Sequence, residues 1–204
     1  MALIVAGCRR EQAGPRVEPI YDRVTGRLTL LKYDSTGKGR VDTWSEMDGA
    51  RILRIAIDTN GDGKADRWEY YAANQRLEKV GFSLAGDGQE DAWSFPDADG
   101  ALARIEISTR RNGSINRVEY YEKDVLVRAE EDSDGDSRID KWETYDGPRL
   151  ASVAFDTMHR GTPDRRLVYA FDGAARMETE AERGNMLSPV PAESGRNRRR
   201  SRLE

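Results

Sequence analysis

Aromatic and acidic residues recur along this chain at a fixed interval of 24 or 25 residues. The acidic or amide column consists of Asp42, Asp66, Asp91, Asn116, Asp140 and Asp164. Two residues after it stand Trp44, Trp68, Trp93, Val118, Trp142 and Arg166. Self-similarity at a period of 20 to 50 residues is typical of repeat proteins, so the pattern predicts an array of about six units.

Two more columns keep the same register. Eight residues before the acidic column stand Asp34, Asp58, Ser83, Ser108, Asp132 and Asp156. Six residues before these, every unit has a large aliphatic residue: Leu28, Ile52, Leu77, Leu102, Leu126 and Leu150. Within the units, Trp68 and Tyr70 alternate with Arg67 and Glu69, and such alternation predicts strands. We therefore expect one aromatic face and one face of opposite charges.

The pattern predicts an all-β fold, a repeat array of about six β-hairpin units of 24–25 residues in a continuous antiparallel meander of about a dozen strands. Turn dipeptides such as Asp48-Gly49 and Asp146-Gly147 separate the two strands of a unit. Open twisted sheets rarely exceed about ten strands, so we expect the sheet to curl or close. The tryptophans are interpreted as core residues; an exposed ladder that stacks sugar or peptide is the alternative.

Composition limits the function classes. The chain has 33 basic and 37 acidic residues, a net charge of −4, which argues against a chain that is disordered throughout. A single cysteine excludes an intramolecular disulfide framework, and one histidine argues against His-rich zinc sites. The arginine cluster near the end has no interleaved aromatic residues, so no nucleic-acid partner is predicted.

The predicted segments are a short apolar N-terminal remnant at 1–8, a flexible tether at 9–20, the β-repeat domain at 21–180 and a disordered basic tail at 181–204.

Two of the polar loops carry oxygen-bearing side chains at the spacing that calcium requires. Ca²⁺ takes six to eight oxygen ligands, and a loop with ligands at positions 1, 3, 5, 7, 9 and 12 can wrap around the ion. The loop at 58–69 offers Asp58, Asn60, Asp62, the Lys64 carbonyl, Asp66 and Glu69. The loop at 132–143 offers Asp132, Asp134, Asp136, the Arg138 carbonyl, Asp140 and Glu143. The competing interpretation is that these are Asx-rich turns whose carboxylates cap backbone N–H groups.

The other four loops have lost ligand positions. Lys38, Ala85, Arg110 and Met158 stand where an oxygen ligand would be needed in repeats one, three, four and six. No tight calcium site is predicted in these loops.

The segments DTNGDGKAD and DSDGDSRID resemble the loops of EF-hand-like and thrombospondin type 3-like calcium repeats. The W-E-Y-Y segment that follows is similar to repeats of bacterial surface and periplasmic lipoproteins, and MORN-type hairpin repeats are a looser similarity. This resemblance, over residues 21–180, implies calcium binding and an envelope location but no activity. Strands rather than helices flank the loops here. On a strand, Glu69 and Glu143 can instead pair with Arg67 and Lys141.

The N-terminus resembles a bacterial lipoprotein signal. Val5-Ala6-Gly7-Cys8 is similar to a lipobox, which implies a lipid on Cys8 and a true start upstream of Met1. Arg9 and Arg10 after this cysteine imply the outer membrane, on its periplasmic or surface side.

The leading hypothesis is a non-enzymatic, calcium-binding β-repeat protein of the bacterial cell envelope, tethered to the membrane through Cys8. It would act as a structural or binding module with a protein or polysaccharide partner. A metal-independent protein-interaction scaffold is the alternative. A hydrolase with paired carboxylates such as Asp62 and Asp66 ranks third, because the acidic residues recur with the repeat whereas catalysis needs one asymmetric constellation.

Overall fold

The computed structural model describes residues 14–179, and every regular element in this range is a β-strand. The fourteen strands are β1 (Arg16–Tyr21), β2 (Leu28–Asp34), β3 (Thr43–Asp48), β4 (Arg51–Ile57), β5 (Arg67–Tyr71), β6 (Leu77–Phe82), β7 (Ala92–Pro96), β8 (Leu102–Ile107), β9 (Arg117–Glu122), β10 (Val125–Glu131), β11 (Lys141–Asp146), β12 (Arg149–Phe155), β13 (Arg165–Tyr169) and β14 (Ala175–Thr179). They form one antiparallel sheet in sequence order. The predicted all-β meander is confirmed.

The sequence columns mark the strand boundaries. Every odd strand from β3 to β13 begins one residue after the acidic column, for example Arg67 after Asp66. The even strands from β4 to β12 end directly before the first loop position, for example Ile57 before Asp58. The six polar loops are therefore loop one (34–42), loop two (58–66), loop three (83–91), loop four (108–116), loop five (132–140) and loop six (156–164).

The pairing order of the described strands begins at β1 and ends at β14, so the sheet is open rather than closed. The chain divides into two compact units, with the boundary between Glu90 and Asp91. The first unit holds β1–β6 and the second holds β7–β14.

Strand β1 overlaps, at residues 16–20, the segment 9–20 that the sequence predicts to be a flexible tether. It pairs with β2 from Arg16 opposite Asp34 to Tyr21 opposite Leu28. An edge strand tolerates a proline because only one of its sides enters the hydrogen-bond ladder, and Pro19 occupies such a strand here. The repeat domain therefore begins before residue 21, and the tether prediction is wrong for residues 16–20.

Each of the six hairpins from β1–β2 to β11–β12 contains a β-bulge at the same place, whereas β13–β14 has none. The residue that has no partner always lies in the even strand, directly after the aliphatic column: Thr29, Leu53, Glu78, Ala103, Val127 and Ala151. A bulge adds local twist and leaves its extra residue out of the ladder. Each residue of the aliphatic column thus belongs to the strand pair that lies beside the bulge on the side of the hairpin turn, such as Leu77 opposite Tyr71.

Buried apolar residues come from both faces of the sheet. Trp68 is 6% exposed and lies opposite Ala56 and Gly81, whose small size leaves room for the indole. Its burial confirms a core role, and the other three tryptophans are half-buried. The opposite face carries the charged pairs but also buries Val80 and Val153. The predicted opposite charges do lie on this face, where Glu69 and Glu143 form ion pairs, and aliphatic residues stand directly opposite these two glutamates.

Candidate metal sites in the repeat loops

Backbone hydrogen bonds tie each loop to the preceding one. The N–H of Asp58 donates to the carbonyl of Asp42 at 2.8 Å, and the N–H of Asp132 donates to the carbonyl of Asn116 at 2.8 Å. The N–H of Asp156 makes the same bond to Asp140 at 2.9 Å. These bonds link the first position of one loop to the ninth position of the loop before it, so side chains of neighbouring loops come within reach of each other.

In loop two, Asp58 is buried and its carboxylate is fully engaged by donors. Its oxygens accept the N–H groups of Gly61 at 2.7 Å and Gly63 at 2.8 Å, and Arg40 of loop one donates Nη2 at 2.8 Å. Burial raises the pKa of Asp58, but the bonds from Arg40, Gly63 and Gly61 outweigh burial and the net pKa is lowered. The carboxylate is therefore ionised at neutral pH, with Arg40 as its counter-charge.

The remaining oxygens of loop two serve the loop backbone. Asp66 accepts the N–H and hydroxyl of Thr59 and the N–H of Asn60. The Asn60 side chain accepts the N–H of Asp62 at 2.8 Å, and Asp62 accepts the N–H of Lys64 at 2.8 Å. In the described structure the carboxylates of this loop do not converge into a group that could share one ion.

Loop five has the same backbone pattern but brings its carboxylates together. Asp132 accepts the N–H of Ser137 at 3.0 Å, and Asp140 accepts the N–H of Ser133 at 2.9 Å. One carboxylate oxygen from each of Asp132, Asp134 and Asp140 lies within 4.8 Å of the others. The fourth carboxylate, on Asp136, accepts the N–H of Arg138 at 2.8 Å.

The surroundings of Asp132, the first residue of loop five, stabilise its ionised carboxylate. Burial raises the pKa of Asp132, but the N–H groups of Gly135 and Ser137 and the positive charge of Arg110 outweigh it and lower the net pKa. Arg110 of loop four lies with Nη1 3.9 Å from the Asp132 carboxylate and donates Nη2 to the Asp132 carbonyl at 3.2 Å. This guanidinium is more loosely held than Arg40 is in loop two.

Glu69 and Glu143 lie outside the loops, in ion pairs on the strands. Glu69 pairs with Arg67 at 3.0 Å and accepts the hydroxyl of Tyr71 at 2.7 Å. Glu143 pairs with Lys141 at 2.8 Å and with Arg117 at 2.8 Å. The structure therefore favours the pairing alternative for both glutamates over a role at position 12 of a calcium loop.

Glu143 belongs to a charge cluster on β9, β10 and β11 that consists of Arg117, Lys141, Glu119, Glu131 and Glu143. Arg117 donates to Glu119 at 2.9 Å, Glu131 at 3.1 Å and Glu143 at 2.8 Å. Burial raises the pKa of Glu143, but hydrogen bonds from Arg117, Lys141 and Tyr145 outweigh burial and lower it to about 2. Burial, together with hydrogen bonding to Glu119, raises the pKa of Tyr121 to about 12.

Protonation of Glu143 should contribute to the fall in the free energy of unfolding in acid. Its pKa is lower in the folded chain than in the unfolded chain, so the contribution is complete above pH 4.5 and is lost as pH falls towards about 2. We expect the difference in unfolding free energy between the wild type and Glu143→Gln to shrink across this range, measured by urea unfolding at a series of pH values. A difference that stays constant down to pH 2 would contradict the assignment.

Four cations at the loops have no signal in the repeat columns. Each reaches an aspartate of a neighbouring loop: Arg40, Arg110, Arg111 and His159. His159 Nδ1 lies 3.4 Å from Asp134 and 3.9 Å from Asp136, and these three side chains form a second group that could hold one metal ion. These pairs are separated by 18 to 25 residues along the chain and not by one constant repeat length, so the repeat columns could not indicate them.

The loops that have lost calcium-ligand positions are held in shape by hydrogen bonds within the protein. In loop one, Asp34 accepts the N–H of Gly39 at 2.6 Å and Asp42 accepts the hydroxyl of Ser35 at 2.6 Å. In loop four, Asn116 accepts the N–H of Thr109 at 2.7 Å. These bonds agree with the capping role that the sequence suggests for such turns.

Cys8, the signal remnant at 1–8 and the basic tail at 181–204 lie outside the described residues. Within the described range, no helix is long and apolar enough to cross a membrane.

No family model matches the chain, and no curated protein does. A mutant of S. aureus TarM in complex with Fondaparinux, alpha-GlcNAc-glycerol and UDP is 13% identical, with 47% of this chain and 18% of that chain covered and a TM-score of 0.38. Accessory secretory protein 1, 2 and 3 of Streptococcus pneumoniae is 16% identical, with 52% and 19% covered and a TM-score of 0.39. The GtfA/B complex bound to UDP and GlcNAc is 8% identical, with 80% and 24% covered and a TM-score of 0.21. The chain thus spans less than a quarter of each of these proteins, and similarity at this level carries no functional argument.

Proposed function

We propose that this chain is a non-enzymatic β-repeat module of the bacterial cell envelope in which loop five binds Ca²⁺. The observation that carries the proposal is the convergence of oxygens from Asp132, Asp134 and Asp140 within 4.8 Å. Two oxygens on opposite sides of a calcium ion, each at about 2.4 Å, are about 4.8 Å apart. The three carboxylates therefore fit one ion of this size and hardness.

The other ligands would come from the same loop and from solvent. Asp136 and the carbonyl of Arg138 occupy positions 5 and 7, and the half-exposed side chains of Asp134 and Asp136 leave space for water. Calcium accepts such mixed coordination because it takes six to eight oxygens in flexible geometry. Glu143 is not included, because it is held by Arg117 and Lys141.

Loop two favours the second candidate function, a metal-independent interaction scaffold. The buried carboxylate of Asp58 already has Arg40 as a counter-charge and two glycine N–H groups as donors. Such a loop keeps its shape without an ion. The module would then hold its partner through loops that differ from repeat to repeat.

A carboxylate-dependent hydrolase has less support. Asp62 and Asp66 are engaged by backbone donors of their own loop, Asp62 by Lys64 and Asp66 by Thr59 and Asn60. Envelope anchoring through a lipid on Cys8 rests on the lipobox resemblance alone, and membrane release of a Cys8→Ser variant in a bacterial host would test it.

Calcium titration by calorimetry tests the metal proposal with a reciprocal pair of variants. Asn60 and Asp134 occupy position 3 of their loops, so Asp134→Asn gives loop five the side chains of loop two at this position, and Asn60→Asp does the reverse. We expect one site in the wild type, at least tenfold weaker binding in Asp134→Asn, and no second site in Asn60→Asp because Arg40 stays on Asp58. Wild-type protein that binds no calcium, or Asp134→Asn that binds as the wild type does, would contradict it.

A further inference from the structure

The space between loops one and two forms a cavity of about 670 Å³. Charged and polar side chains of both loops line it, among them Lys38, Arg40 and Asp42 of loop one and Asp58 and Asn60 of loop two. Small-molecule ligands typically occupy cavities of about 300–1,000 Å³. The space between loops four and five measures about 190 Å³, which is below this range.

The two carboxylates that line the cavity are already occupied by protein donors. Asp58 has no exposed side-chain surface, and its oxygens accept bonds from Arg40 and from the backbone of loop two. Asp42 accepts the N–H and the hydroxyl of Ser35 at 3.0 and 2.6 Å through Oδ2, and the hydroxyl of Thr43 at 2.9 Å through Oδ1. Both oxygens of each carboxylate are thus in use, which makes a cation an unsuitable ligand for this cavity.

The donors that line the cavity are, in contrast, largely unused. Within residues 14–179 the ammonium group of Lys38 has no ion pair, and Arg40 uses only Nη2, which leaves its Nε and Nη1 as donors. Asn60 accepts the N–H of Asp62 through Oδ1, and this bond orients the amide so that Nδ2 remains a donor. The cavity therefore offers a ligand several donors from Lys38, Arg40 and Asn60.

An oxyanion is the ligand group that matches these donors. Ammonium and guanidinium groups bind carboxylates and phosphates through charge-assisted hydrogen bonds, which are about twice as strong as neutral ones. The bond to Asp58 holds the Arg40 guanidinium in place before a ligand arrives, and such preorganisation lowers the entropic cost of binding. The same Lys38 that removes a calcium ligand from loop one thus supplies a donor for an anion.

The charges of the lining predict how strongly the cavity binds. Lys38 and Arg40 are balanced by Asp42 and Asp58, so the four side chains together carry no net charge. Binding then depends on local hydrogen bonds rather than on long-range attraction. We expect dissociation constants in the millimolar range for small probes.

We propose that the cavity between loops one and two binds a small organic molecule through an oxyanion, a carboxylate or a phosphate, held by Lys38, Arg40 and Asn60. The proposal goes beyond calcium binding at loop five and does not depend on it, because no residue of loop five lines this cavity. It gives the metal-independent scaffold a class of ligand.

Titrations of the full chain followed by two-dimensional amide NMR, in excess chelator, test the proposal. The probes are galacturonate, galactose 6-phosphate, galactose and inorganic phosphate, which separate the carboxylate, the phosphate ester, the uncharged sugar and the bare ion. We expect galacturonate, galactose 6-phosphate or both to shift the amide signals of residues 34–43 and 57–61 in a saturable manner. Galactose and inorganic phosphate should bind at least tenfold more weakly.

Variants of two lysines provide the matched comparison. Lys38→Gln should weaken binding of the anionic sugars at least fivefold, and Lys38→Arg should restore it, because the side chain of Lys38 serves the ligand and not the fold. Lys64→Gln removes the same charge from loop two, outside the cavity, and should bind as the wild type does. Asn60→Asp replaces a donor by a carboxylate and is the second disrupting variant, while circular dichroism shows whether each variant is folded.

Several outcomes overturn the proposal. The absence of saturable shifts at these residues with all three anions at tens of millimolar excludes an anion site. Galactose that binds as tightly as the anionic sugars would remove the oxyanion, and inorganic phosphate that binds as tightly as galactose 6-phosphate would reveal an adventitious ion only. Folded Lys38→Gln that binds as the wild type does, or Lys64→Gln that binds as weakly as Lys38→Gln, contradicts the assigned donors. Asp134→Asn should bind the anions unchanged, so failure of this proposal is distinguishable from failure of the calcium proposal.

Discussion

Arg117→Met is expected to lower the free energy of unfolding by about 3–5 kcal/mol, the cost of leaving buried charges unpaired. Arg117 lies between three glutamates, and its side chain is only 14% exposed. Burial lowers the pKa of Arg117, but hydrogen bonds to Glu143 and Glu119 outweigh it and raise the net pKa. Removal would leave Lys141 as the only cation that this cluster retains for Glu131 and Glu143.

Arg67→Met is the matched control for this prediction. Arg67 occupies the same repeat position, but within residues 14–179 its only ion pair is with Glu69, its guanidinium lies 5.5 Å from the centre of the Phe82 ring, and its side chain is 36% exposed. A half-exposed ion pair contributes about 1 kcal/mol or less. Urea unfolding of both variants measures the contrast, and equal losses would show that the cluster on β9, β10 and β11 is not an energetic unit.

Asp58→Ala should also destabilise the fold, by about 2–3 kcal/mol, because it removes a buried carboxylate that accepts several hydrogen bonds, and bonds to a charged group contribute about 1.5–3 kcal/mol. The lost acceptor serves the N–H groups of Gly61 and Gly63 and the guanidinium of Arg40. The two glycine N–H groups hold the shape of loop two, and Arg40 holds loop two against loop one. We therefore expect local opening of residues 58–66 as well as a lower melting temperature.

Asp62→Ala is the control for Asp58→Ala. It distinguishes the loss of the hydrogen bonds that Asp58 accepts from the loss of one acidic charge in the same loop. Asp62 is exposed and accepts the N–H of Lys64, so its removal should cost less than about 1 kcal/mol. Thermal unfolding together with hydrogen exchange of the loop amides measures both effects. The capping account fails if Asp62→Ala destabilises the chain as much as Asp58→Ala does.

The strand boundaries and loop positions could be predicted from the sequence because each is set by a local rule. The acidic column predicts where odd strands begin, as with Asp66 before Arg67, and alternation predicts that Trp68 faces the core. The bulges were not predicted, since the extra residue is Glu78 in one unit and Ala151 in another, with no shared side-chain chemistry.

The difference between loops two and five as candidate metal sites could not be predicted from the sequence, because it depends on contacts between neighbouring repeats. Loops two and five look alike in sequence, but the guanidinium of Arg40 lies 2.8 Å from Asp58 while that of Arg110 lies 3.9 Å from Asp132. The two cations come from different positions of the preceding loops, position 7 and position 3. Strand β1 was missed for a similar reason, since its pairing with β2 outweighs the local disfavour of Pro19.

Differential scanning calorimetry of the full chain, in excess Ca²⁺ and in excess chelator, tests the calcium proposal most directly. A ligand that binds the folded state at 100 times its dissociation constant stabilises it by about 2.7 kcal/mol. We expect calcium to raise the melting temperature of the wild type by several degrees, and Asp134→Asn to lose most of this shift. Identical melting temperatures with calcium and with chelator would contradict calcium binding and leave the metal-independent scaffold as the function.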